Sequence, residues 1–70
     1  MRLPQISGKD LIRILRRHGF VVVRQKGSHV RLEKNTSDGT IKLTVPDHGV
    51  LKKGTLHQII KAAGLSEEDL

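Results

Sequence analysis

Leu11, Ile12 and Leu15 recur at the spacing of one helical face, which predicts an amphipathic helix over about residues 8–18. Ser7 stands where an N-cap belongs, and Asp10, three residues on, would complete a capping box. Ile6 and Leu11 take the two positions of a hydrophobic staple. Gly19 suits the residue just past the helix, and Phe20 then reaches back to Leu15 in a Schellman ending.

The pattern then changes period. Phe20-Val21-Val22-Val23-Arg24-Gln25 is an uninterrupted β-branched run and predicts a strand. Lys26-Gly27 is the expected two-residue turn, with glycine supplying a positive φ. Beyond it the chain alternates: Ser28, Val30 and Leu32 face one way, and His29, Arg31 and Glu33 the other. The polar stretch 35–39, ending in Asp38-Gly39, predicts a second turn. A third strand over 40–45 sets Ile41, Leu43 and Val45 against Thr40, Lys42 and Thr44, and Pro46 ends it.

Leu56, Ile59, Ile60 and Ala63 fall at i, i+3, i+4 and i+7, a second apolar helix face. Thr55 and Gln58 suggest its capping box, and Gly64-Leu65 repeats the glycine ending of the first helix. Ser66-Glu67-Glu68-Asp69 reads as the start of a further helical turn. The order α-β-β-β-α predicts an α+β fold of two layers, a three-stranded antiparallel sheet with two helices on one face. Double-stranded-RNA-binding domains share this order, which alone says little about function. Residues 1–70 are expected to form one domain, with 66–70 a short tail.

Charge changes the picture. The chain carries 13 Lys+Arg against 7 Asp+Glu, a formal +6. Glu67, Glu68 and Asp69 sit in the last four residues, so residues 1–66 hold 13 cations against 4 acids, or +9. Such an excess favours a polyanion, through counterion release, or an acidic protein. A membrane surface ranks lower, because no helix joins a broad basic face to aromatic anchors. Phe20 is the single aromatic residue, so stacking platforms for bases are missing and contacts to backbone and 2′-hydroxyls should dominate any nucleic-acid binding. With no cysteine there is neither a disulfide framework nor a thiolate metal site. No apolar run near Met1 suggests a signal peptide or membrane span, and a cytoplasmic location is expected.

Three groups of residues are candidates for chemistry. Lys9, Arg13, Arg16 and Arg17 share one face of the first helix, either as a phosphate-tracking ridge or as a solvated surface. Lys52, Lys53 and Thr55 open the second helix, where free N–H groups and the helix dipole suit a phosphate; the alternative is an ordinary basic loop. Gly27-Ser28-His29 places a histidine on the sheet face away from the helices, with Arg31 and Lys42 nearby. Histidine is the side chain whose ordinary pKa lies nearest neutrality, so it moves protons without a metal. Cleavage of RNA requires a base for the 2′-hydroxyl, an acid for the departing 5′-oxygen and cations for the phosphorane. An exposed strand histidine of no consequence is the plainer alternative. His18 is accounted for by the end of the first helix, His57 by the surface of the second, and His48 lies in the loop before it. No histidine pair has zinc spacing, and the acids are too scattered for a two-metal nuclease, so no metal and no cofactor are expected.

Together, Ser7-Gly8-Lys9-Asp10-Leu11, Gly19-Phe20, Arg24-Gln25-Lys26-Gly27-Ser28-His29, Val45-Pro46-Asp47-His48, Gly54-Thr55-Leu56 and Ala63-Gly64-Leu65 resemble the HicA (YcfA-like) toxin family. No single motif is specific; the ordered set, over about residues 5–66, is. The resemblance implies a fold like the double-stranded-RNA-binding domain. It implies a ribosome-independent messenger-RNA interferase, the toxin of a type II toxin–antitoxin pair. His29 matches the family's catalytic histidine, and a HicB-type antitoxin would cover that region. The chain departs from the family pattern at the long-looking turn 35–39 and at Lys52-Lys53-Gly54, where Lys-Pro-Gly is common. Rival functions are an RNA-binding module without catalysis and a domain that binds only an acidic protein. Binding to DNA is disfavoured, because neither helix reads as a recognition helix.

Overall fold

Ser7 starts the first helix, α1 (Gly8–Arg17), its side-chain oxygen accepting from the Asp10 N–H at 3.1 Å. The return bond of a full capping box is not made; Asp10 lies instead 3.9 Å from Arg13, one turn on. His18 caps the helix, and Gly19 at φ 95° lets the Phe20 N–H reach the Leu15 carbonyl at 3.0 Å. That is the expected Schellman ending. The computed structural model describes residues 5–47 and 49–70; His48 lies outside the described residues.

Three antiparallel strands follow, β1 (Val21–Lys26), β2 (His29–Thr36) and β3 (Gly39–Pro46), in the order β1-β2-β3. The first connection is shifted by one residue from the sequence expectation, and the second is tighter. Lys26 pairs with His29, so the first turn is Gly27-Ser28 rather than Lys26-Gly27, with Gly27 at φ 60° in the leading position. Thr36 pairs with Gly39, which shrinks the expected five-residue turn to Ser37-Asp38. The Thr36 hydroxyl closes it, donating to the Gly39 carbonyl at 2.8 Å and accepting from the Asp38 N–H. The β1–β2 register also slips between Val22 and Arg24, a β-bulge that leaves Val23 as the extra residue.

The second helix, α2 (Lys53–Ala63), begins before the predicted Thr55 cap. Lys52 is its N-cap and makes no side-chain capping bond, so the Thr55–Gln58 box is not formed. Gly64 is left-handed at φ 74°, and the Leu65 N–H donates to the Ile60 carbonyl at 3.0 Å. The Ser66 turn is 3-10 over Glu67–Asp69, closed by a reciprocal Ser66–Asp69 capping box. Asp69 is held below its ordinary pKa, chiefly by the Ser66 N–H; desolvation opposes this, and the Ser66 hydroxyl and the charge of His18 add smaller downward effects.

One core unites these elements. Leu11 and Leu15 of α1, Val30 and Leu32 of β2, Leu43 and Val45 of β3, and Leu56, Ile59, Ile60 and Ala63 of α2 are all buried, with Phe20 and Leu51. Both helices therefore cover one sheet face, and the architecture is the expected α+β with an open three-stranded sheet. The segments ahead of the two helices are joined by an antiparallel bridge between Ser7 and Val50. Among the described residues no helix is long and apolar enough to cross a membrane.

Candidate active site on the outer sheet face

His29 is the first residue of the central strand, exposed, and directly opposite Lys26 on β1 and Pro46 on β3. Val30 beside it is buried, so the pleat sends His29 to the outer face, away from the helices. Two bonds brace the turn that leads into it. The Gln25 side-chain amide donates to the Gly27 carbonyl at 3.2 Å, and the Asp47 N–H donates to the Ser28 carbonyl at 2.5 Å. Ser28 therefore belongs to the turn rather than to the inward set of β2, where its alternation with Val30 had placed it.

An open depression of about 250 Å³ lies on this face, lined by Arg24, Lys26, His29, Arg31 and Thr44. Cross-strand pairing explains the set: Arg24 stands opposite Arg31, Arg31 opposite Thr44, and Lys26 opposite His29. The depression thus gathers three cations, an imidazole and one neutral hydroxyl. Farther along the face Glu33 stands opposite Lys42, an oppositely charged pair outside the depression.

Of the residues singled out from the sequence, the structure brings His29 and Arg31 together. Lys42 shares their face but not the depression. Lys9, Arg13, Arg16 and Arg17 are all exposed on α1, in the layer behind the sheet, and none lines the depression. Asp10 also stands beside Arg13, so that stripe is not free of acid. Lys52 and Lys53 are exposed, with half-buried Thr55, at the start of α2, again in the helix layer. His57 falls in the second turn of α2 and is exposed.

Sequence reasoning missed Arg24 and Lys26. Simple alternation from Val22, which pairs with the buried Leu32, would turn both toward the helices; the bulge at Val23 restores them to the outer face. Nothing in Val21-Val22-Val23 marks a bulge, though an unbroken valine run on an exposed strand was a hint that its pattern was not a simple alternation. Those valines are 61%, 39% and 51% exposed; Val21, opposite Glu33, shares the outer face, whereas Val22, opposite buried Leu32, is on the helix side. Among the described residues no three His, Cys, Asp or Glu side chains converge as metal ligands would.

Compared with known proteins, residues 8–65 match the family model described as HicA toxin of bacterial toxin-antitoxin. No curated protein matches the chain. The matched span runs from the first residue of α1 to Leu65, the residue that completes the ending of α2, and includes the whole sheet with His29. The chain belongs to the HicA toxin family: it is a toxin of a toxin–antitoxin system, with an antitoxin for a partner.

Proposed function

We propose that this toxin is a ribosome-independent messenger-RNA interferase whose chemistry is centred on His29. The observation that carries the reading is the placement of one exposed imidazole in a depression otherwise lined by Arg24, Lys26, Arg31 and Thr44. RNA provides its own nucleophile. His29 serves as base for the 2′-hydroxyl or as acid for the 5′-oxygen: the 2′-oxygen bonds to phosphorus, the bond to the 5′-oxygen breaks, and the proton lost at one oxygen is balanced by one gained at the other. Arg31 and its neighbours offset the charge that builds on the phosphorane. Ser28, in the turn before His29, presents the hydroxyl nearest to it in sequence.

Lys42 extends the cationic face along the sheet and serves to hold RNA beyond the scissile phosphate. Lys9, Arg13, Arg16 and Arg17 on α1, and Lys52, Lys53 and Thr55 at the uncapped start of α2, offer further phosphate contacts from the helix layer. The chain acts as one domain in the cytoplasm, on a fold like that of double-stranded-RNA-binding domains. Its partner is a HicB-type antitoxin that covers the outer sheet face, where exposed Val21 of β1 stands opposite Glu33.

Incubation of purified protein with ribosome-free RNA tests this. Fragmentation that the antitoxin suppresses is the expected result. RNA that is retained at low salt, released at high salt and never cut would instead make the protein a binding module. Binding that ignores RNA altogether and selects an acidic protein would overturn both.

A further inference from the structure

The β1–β2 register contains an arrangement that folding alone disfavours. Arg24 and Arg31 are direct cross-strand partners, and Lys26 stands opposite His29, so the two pairs on this face that flank Gln25–Val30 set cation against cation or imidazole. Like charges directly opposite destabilise a sheet. Neither arginine has a carboxylate within 4.0 Å among the described residues; the ion pair found there joins Asp10 and Arg13 on α1. Elsewhere on the same face the pairing is complementary, Glu33 against Lys42. Arg24 is present on this face because of the bulge, since Val23 adds the residue that realigns it with Arg31. Bulges re-aim side chains in this way.

We infer that Arg24 and Arg31 form a paired guanidinium seat for a single phosphodiester beside His29, and that the Val23 bulge supplies its second half. Two planar forks facing one tetrahedral anion give parallel charge-assisted bonds that a lone arginine cannot. The anion also removes the repulsion that the register imposes. The inference rests on the proposed RNA cleavage only for which phosphate is held; the seat itself can be tested apart from it.

The experiment titrates inorganic phosphate against chloride at constant ionic strength and follows the arginine Nε–H signals by NMR. Arg24 and Arg31 should saturate together, while Arg13, Arg16 and Arg17 stay on a shallow common slope. In Arg24→Gln the Arg31 response should weaken at least about tenfold, with Arg24→Lys intermediate because charge is kept but the fork is lost. The thermal midpoint of Arg24→Gln without phosphate should equal or exceed that of wild type, since a repulsive pair is gone. An Arg31 titration unchanged in Arg24→Gln, or all arginines responding alike, overturns the seat. With RNA, Arg24→Gln should lower kcat/KM about 10- to 100-fold. Full activity in Arg24→Gln alongside an inert His29→Ala would refute the seat and leave the cleavage reading standing. RNA left intact by wild type would refute cleavage, and the phosphate titration would still decide the seat.

Discussion

At the scale of single residues, Gly8 ties the fold to the site. It is buried at the first position of α1, and a β-carbon there would collide with the Pro46 carbonyl and meet the Asp47 Cα at 3.0 Å. Pro46 is the cross-strand partner of His29. Two effects of Gly8→Ala compete. Helix propensity favours alanine by up to about 1 kcal/mol. Overpacking against a backbone that cannot swing aside costs about 1–3 kcal/mol, and this should win. The variant should therefore melt earlier by denaturant or thermal unfolding, and its His29 and Pro46 signals should shift. Stability equal to wild type would mean that α1 does not press on the end of β3.

At the scale of elements, the start of α2 combines two demands. Lys52 is a poor N-cap and makes no side-chain bond to the first turn. Lys52→Asp would supply that bond and a charge suited to the helix dipole, so it should stabilise the protein by about 0.5–2 kcal/mol. If the helix start holds a phosphate, the same change weakens RNA binding. A gain in thermal midpoint with a loss of RNA affinity is expected; a gain with unchanged affinity would free this end of the molecule from any part in binding. The elements themselves were legible because periodicity and caps agree. Leu11 with Leu15, and Leu56 with Ile60, mark both helix faces, and Gly19 and Gly64 mark both ends. The boundaries of turns were less legible. Lys26-Gly27 and Gly27-Ser28 are both acceptable turns by composition, and only pairing with β2 selects the second. The Thr55–Gln58 box looked sound locally, yet the helix starts at Lys53, two residues earlier, and leaves Thr55 inside the first turn.

Across the whole molecule, the sheet separates two cationic surfaces. The Cα trace is a slab of 30 × 29 × 18 Å, with the helices on one side and the His29 depression on the other. The alternation of β2 was enough to place His29 and Arg31 together on the outer face from sequence. The cations of α1 could not be placed relative to them until the layers were known, and they lie behind the sheet. Arg24 and Lys26 were hidden for a different reason: one inserted residue reverses the faces of everything between it and the turn. The proposed chemistry therefore lies on one side of the slab, and the α1 cations, behind the sheet, are left to the further phosphate contacts proposed above, which salt screens.

The most direct measurement is cleavage of ribosome-free RNA in EDTA by wild type and His29→Ala, matched for folding by circular dichroism. His29 is exposed, so the variant should fold normally and still bind RNA. Wild type should cut without metal, and His29→Ala should lose about 100-fold or more in rate, the scale of a positioned acid or base. Equal cutting by both proteins would contradict the account and move the chemistry away from the outer sheet face.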